Sequence, residues 1–225
     1  MHIEPGIVEP AKLILSYGTG AAALSFAAKK AYDTMRERGR LALTIGGIAT
    51  TALTFAFFEL LPHFSVGVSE VHFILGSTLF LLFGVGPAAV GLALGLLAQA
   101  VFFAPSDLPQ YGMNVTTLLV PLFLISEFAN RVVKPSKRYV DISYKQALAL
   151  STTYQGGVVA WVAFWAVYGQ GFGAESLAAI GVFGVAYMSV VIIEPLADLA
   201  LLAVAKTFSG RDQSGVFEPR LHHAA

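Results

Sequence analysis

The sequence predicts an all-α membrane protein: a polytopic bundle of about seven transmembrane helices, with its N-terminus outside and its C-terminus cytoplasmic. Three observations predict it. Of the 225 residues 56% are hydrophobic and only 12% charged, against about 25% charged in a soluble domain. The apolar residues come in long blocks rather than amphipathic stripes, and mean hydropathy is +0.70. The basic residues, finally, are confined to alternate connections.

The first helix is expected over about Ala11 to Ala28, ending in the basic run Lys29, Lys30, Arg36, Arg38 and Arg40. A second, about Leu41 to Leu61, is stopped by Pro62. A short loop from His63 to Val71 leads to a third apolar block, His72 to Val85, too brief to span upright without flanking help. Gly84-Val85-Gly86-Pro87 reads as a tight turn into a fourth helix, Ala88 to Phe103. The loop Ala104 to Met113 carries two prolines, and a fifth helix is expected over Asn114 to Asn130. A second basic loop follows, with Arg131, Lys134, Lys137, Arg138 and Lys145. The sixth helix covers about Gln146 to Tyr168, and the seventh runs from near Leu177, across Pro195, to about Thr207. Residues 1–207 thus form one transmembrane domain with an N-terminal segment, and 208–225 form a cytoplasmic tail. The pairs Gly46-Gly47 and Gly156-Gly157, and Gly91 with Gly95, are read as close-packing positions.

With the N-terminus placed outside, five of the fourteen Lys and Arg residues fall in the first inner loop, five in the loop between helices five and six, and three in the tail. Only Lys12 is left outside. This satisfies the positive-inside rule and orients the chain as a multi-pass protein of the cell membrane. The outer face carries Glu4, Glu9, Glu70, Asp107 and Glu175, an acidic surface that draws in cations. There is no cysteine, which excludes disulfides and thiolate metal centres. No organic cofactor and no nucleic-acid partner is expected.

The chain opens Met1-His2-Ile3-Glu4-Pro5-Gly6. A histidine in second place lets the α-amine of Met1, the backbone nitrogen of His2 and the His2 imidazole face one ion. Such a near-planar set of nitrogens, plus one more donor, suits Ni(II) or Cu(II), with cobalt nearby. On the predicted topology the only other outer histidines are His63 and His72.

Together, Met1-His2-Ile3 followed by Gly6, the histidine entering the third helix, Gly86-Pro87 and Gly112-Met113-Asn114-Val115 resemble the CbiM/NikM type. That is the substrate-specificity membrane component of nickel and cobalt energy-coupling-factor (ECF) transporters, a kind of ABC transporter. The likeness covers roughly residues 1 to 130, and beyond that only the hydropathy matches. It implies capture of Ni2+ or Co2+ as a transported substrate on the extracytoplasmic side, for ATP-driven uptake. The ligands it implies are Met1, His2 and His72. The implied partners are a membrane coupling subunit, two cytoplasmic ATPase subunits and, often, a small membrane helper protein. The sequence departs from the usual pattern in having Val71, not glycine, beside His72, and in a segment from His72 to Pro87 about two residues longer than usual. His63 is the alternative ligand.

Other candidates have two readings each. Glu70 is a carboxylate that orients the His72 imidazole or a solvated loop residue. Asn114 orients the N-terminal segment or caps a helix. Glu59 reaches water at the outer end of the second helix. Glu127, Glu194 and Asp198 lie at membrane depth, where carboxylates are paired or functional: either they contact a partner subunit or the basic loop Arg131 to Arg138, or they snorkel to the interface. They also carry an alternative function, an intramembrane enzyme. Against it, neither His-Glu-x-x-His nor a phosphate-binding Gly-rich loop occurs, so the chain is read as no enzyme. An accessory membrane subunit without ligand is the other alternative.

Overall fold

The computed structural model describes residues 10–208 and 215–224. It is an all-α membrane protein. Helix α1 runs Pro10–Arg38 and α2 Arg40–Glu59, followed by a two-stranded hairpin, β1 Phe64–Val66 and β2 Ser69–Val71. Helices α3 Gly76–Phe83, α4 Val85–Phe102, α5 Tyr111–Val132, α6 Tyr144–Gln170, α7 Ala174–Met188 and α8 Val190–Thr207 follow, and α9 is a single turn, Pro219–His222. Four stretches are long and apolar enough to cross a membrane: Arg40–Glu59, Val85–Phe102, Pro105–Val132 and Ala174–Thr207.

Several expected boundaries move. Helix α1 does not stop at Ala28 but carries Lys29, Lys30, Arg36 and Arg38 on its own last turns, and only Gly39, at φ 91, separates it from Arg40, the first residue of α2. The loop before the fifth helix is largely a 3-10 turn over Pro105–Gln110. The expected seventh helix bends at Ser189, where α7 passes into α8. Pro195 loosens this stretch, because it has no N–H to offer the carbonyl of Val191.

The largest difference concerns the third helix. Only Gly76–Phe83 is helical, eight residues and so about 12 Å, too short for a hydrocarbon core of about 30 Å. Before it, His72–Leu75 is held by two successive three-residue turns. Ile74 N–H donates to His72 O and Gly76 N–H to Ile74 O, each at 3.1 Å. Leu75, at φ −86 and ψ 68, has the inverse γ-turn conformation. The turn into α4 is Gly84 alone, at φ 82. Pro87 lies inside the first turn of α4, where a missing N–H costs nothing.

Helix α4 is the centre of the bundle, in contact with α1, α2 and α5, while α6 joins α5 to α7 and α8. Small residues permit the tightest approach. A Cβ on Gly91 would lie 2.3 Å from Thr50, and one on Gly95 2.6 Å from Thr54. Gly157 packs on Pro121, but Gly156 faces open space and is no packing device. The core between the helices is apolar, with Phe58, Leu79, Leu92, Leu118, Leu122 and Val158 all buried.

Residues 215–224 fold back onto one end of the bundle. Arg38 donates to Gly215 O, Val216 O and Phe83 O, and to the carboxylate of Glu218. Arg220 donates to Val133 O and Lys134 O at 2.6 and 2.8 Å and lies over the Tyr139 ring. Phe83 O, Val133 O and Lys134 O are carbonyls at or just past helix ends, which lack donors within their own helix. Two arginines 182 positions apart in sequence therefore cap α3 and α5.

Candidate metal site

The hairpin carries the candidate residues. Its turn needs Gly67, which sits at φ 61 and packs so tightly on α7 that a Cβ would meet Ala179 O at 2.2 Å. Register pairs Ser65 with Glu70 and Phe64 with Val71. His72 directly follows β2, two residues after Glu70, and the alternation of extended chain puts both on one side. Glu70 Oε2 lies 3.0 Å from His72 Nε2.

His72 is 1% exposed. Its ring meets Phe58 edge-on at 4.8 Å between centroids, and His63 stacks on it at 5.0 Å with 19° between planes. Lone pairs of imidazole lie in the ring plane, so two nearly parallel rings do not converge on one ion. In this arrangement His63, itself exposed, covers His72 rather than sharing a ligand point with it.

These residues line a cavity of about 390 Å3 whose walls include Glu59, His63, Ser69, Glu70, His72, Gln99 and Asp107. Among the described residues three carboxylates face it and no lysine or arginine does, so its potential favours cations. Glu59 is half-buried in that wall rather than simply reaching water. Gln99, whose Oε1 is buried without a hydrogen-bond partner among the described residues, escaped the sequence reading. An amide in the apolar run of α4 was the available signal. With Nε2 engaged by Glu70, ligation by His72 would use Nδ1.

The other predicted residues fall elsewhere. Met1 and His2 lie outside the described residues. Among the described residues no three His, Asp or Glu side chains are grouped to hold a metal. Asn114 does not line the cavity: it is buried in the first turn of α5, whose cap is Gln110, so the capping reading of Asn114 fails. Glu127 is exposed and lines a separate cavity with Glu218 and Arg220.

Glu194 and Asp198 contact neither the basic loop nor any basic side chain among the described residues. They are buried against the first turn of α3. Ser77 N–H donates to Glu194 at 3.1 Å, as do the Ser151 hydroxyl and, at 2.8 Å, the Gln155 amide. Asp198 accepts from the Ser77 hydroxyl at 2.8 Å and from the Thr78 hydroxyl. The carboxylates thus satisfy one orphan N–H, that of Ser77, and two hydroxyls in the first turn of a half-helix that begins inside the protein. Glu127, Glu194 and Asp198 form no common acid–base cluster.

No curated protein and no solved structure matches the chain. The family model of the cobalt uptake substrate-specific transmembrane region, CbiM, matches residues 2–210. A membrane bundle of apolar helices, with an acid-lined cavity around a buried histidine, accords with that description, and the chain belongs to the CbiM family of cobalt-uptake membrane components.

Proposed function

We propose that the chain captures Co2+ or Ni2+ at the end of the bundle that carries the hairpin, as the substrate-binding component of an ECF-type ABC transporter. That end faces the extracytoplasmic side in this reading, because the basic residues gather at the other. The observation that carries the proposal is the His72–Glu70 pair at the wall of a cavity lined by acids. Glu70 fixes the imidazole by its hydrogen bond, which raises the basicity of a ligand nitrogen. The carboxylates Glu59 and Asp107 attract the ion, and Met1 and His2 complete a set of nitrogen donors that suits a late first-row divalent metal.

A membrane coupling subunit and two ATPase subunits would then supply the energy, since this chain has no phosphate-binding loop of its own. The test is bound metal per folded chain, measured by elemental analysis on protein purified without an N-terminal tag after exposure to Co2+ or Ni2+. Near-stoichiometric metal that falls on His72→Ala supports the proposal. Metal-free protein, or metal indifferent to His72→Ala, overturns it.

A further inference from the structure

The seam between α2 and α4 climbs to the metal cavity in even steps. Thr50 packs on Gly91 and Thr54 on Gly95. One turn further along both helices stand Phe58 and Gln99, and both line the cavity. Phe58 joins this wall to His72, whose ring it meets edge-on at 4.8 Å. The register that builds the bundle thus places Gln99 in the cavity wall.

Its burial is at odds with its chemistry. Gln99 is 5% exposed, and its Oε1 is buried without a hydrogen-bond partner among the described residues. An amide oxygen left unbonded away from water costs free energy, and in a binding cavity it marks a partner that comes and goes. A half-turn about the last side-chain bond exchanges Oε1 and Nε2, so the oxygen can face the cavity without moving the helix.

The loaded site supplies such a partner. A metal-bound imidazole gives its other ring N–H to a fixed acceptor, the part that Glu70 plays for His72 at 3.0 Å. Capture by Met1 and His2 brings a second imidazole and an amine to the same cavity, each with N–H groups left over. Bonding to a divalent ion draws charge from those nitrogens and makes their N–H groups stronger donors.

We propose that Gln99 is a positioning residue for the N-terminal ligands. Its side-chain oxygen accepts a hydrogen bond from an N–H of the ligating α-amine or of the His2 ring. This rests on the capture reading above. Gln99 is then the counterpart, on α4, of Glu70 on the hairpin. Being neutral, it orients a ligand without adding a further negative charge to a wall that already holds Glu59, Glu70 and Asp107. A stronger field there would hold a divalent ion more tightly and release it more slowly.

The test titrates Co2+ into the full chain, purified without an N-terminal tag, and records the melting temperature of the metal-free protein. Gln99→Leu should weaken Co2+ binding about 10- to 100-fold. Its melting temperature should stay level or rise, because the change removes an unbonded buried amide. Gln99→Glu keeps an acceptor oxygen and should bind Co2+ as tightly as the unmodified chain or more so. Thr54→Val is the control. The Thr54 hydroxyl is also buried and without a hydrogen-bond partner among the described residues, but Thr54 sits one turn before Phe58 and does not line the cavity. This variant should leave affinity unchanged. In the chain with alanine inserted between Met1 and His2, read at raised Co2+, Gln99→Leu should cost little further affinity. Unchanged affinity in Gln99→Leu overturns the proposal, as does a fall in its melting temperature, which would make the amide a support of the fold. An equal loss in Gln99→Glu or in Thr54→Val also overturns it. So does a full loss that persists beside the insertion, because the amide then acts on His72. Absence of bound Co2+ in the unmodified chain is a separate result, which defeats the capture reading and this proposal with it.

Discussion

The imidazole of His72 and the carboxylate of Glu70, two residues apart, are joined by a 3.0 Å contact between Nε2 and Oε2. The alternation of extended chain, carried one residue past the end of β2, puts them on one side, and the burial of His72 leaves its ring little freedom to turn.

Glu70→Gln therefore tests the orientation directly. The amide still reaches the ring but no longer carries the charge that makes the opposite nitrogen a better donor. Metal affinity is expected to fall about 10- to 100-fold, as for other groups behind a ligand. The melting temperature of the metal-free protein should hardly move, because Glu70 is partly exposed. Titration of the variant with Co2+ or Ni2+ checks both.

Protons compete with the cargo at a nitrogen site. Affinity should drop as pH falls through the ordinary imidazole range near 6.5. The fold offers an internal control. The carboxyl of Asp141 is held down at about 2 by hydrogen bonds from Arg138 and Lys206, which tie the connection before α6 to the end of α8. A depressed carboxylate contributes stability that is present above its unfolded value near 3.9 and lost as pH falls towards about 2. That tie stays charged between pH 7.5 and 5.5. Loss of binding in this window with an unchanged melting temperature locates the effect at the metal site. Affinity that stays flat there argues against nitrogen ligands.

Gly76 and Gly156 should respond oppositely to alanine. At Gly76 the new methyl meets Tyr154 Cζ at 2.1 Å, while at Gly156 nothing lies within 4 Å. Overpacking at the first predicts a loss of about 1–3 kcal/mol. Alanine in mid-helix α6 predicts a gain of up to about 1 kcal/mol. Thermal melts of the two variants in the same detergent check the signs, and a stable Gly76→Ala would mean that Tyr154 is not fixed there.

The class of fold was legible because block length and hydropathy report directly on the bilayer, but ends were not: α1 runs ten residues past Ala28, through residues too polar to read as part of an apolar block. The third helix was not legible. An apolar run from His72 to Val85 reads the same whether it winds into a helix or begins with γ-turns, since periodicity cannot separate them. What breaks it is a partnership spanning more than a hundred residues: Ser77 and Thr78 with Glu194 and Asp198. Single-sequence reading sees those carboxylates only as anomalies. The candidate site was half legible. Glu70 and His72 lie two apart in sequence, so their pairing was readable as one of two options, while the strand that sets it, Ser69–Val71, was read as a loop. The stacking of His63 on His72, and the approach of Gln99 from α4, depend on how the hairpin sits over the bundle.

The N-terminal donors give the last prediction. If the α-amine of Met1 is a ligand, what matters is its distance along the chain from His2. Inserting one alanine between Met1 and His2 keeps every residue type but enlarges the chelate ring and moves the imidazole. An N-terminal tag turns the amine into an amide, a far poorer donor. Both changes should lower metal bound per folded chain at least as much as His72→Ala does, and by more than the roughly 10- to 100-fold typical of groups behind a ligand. Neither should unfold the protein, whose helices are held by packing such as Gly91 on Thr50 rather than by the metal. A C-terminal tag is the less innocent control here, because residues 215–224 dock through Arg38 and Arg220. A cleavable tag removed before the assay avoids that. If the insertion leaves binding intact, the terminal amine is a bystander, His72 draws its partners from the cavity wall, and the accessory-subunit reading gains ground wherever binding is weak as well.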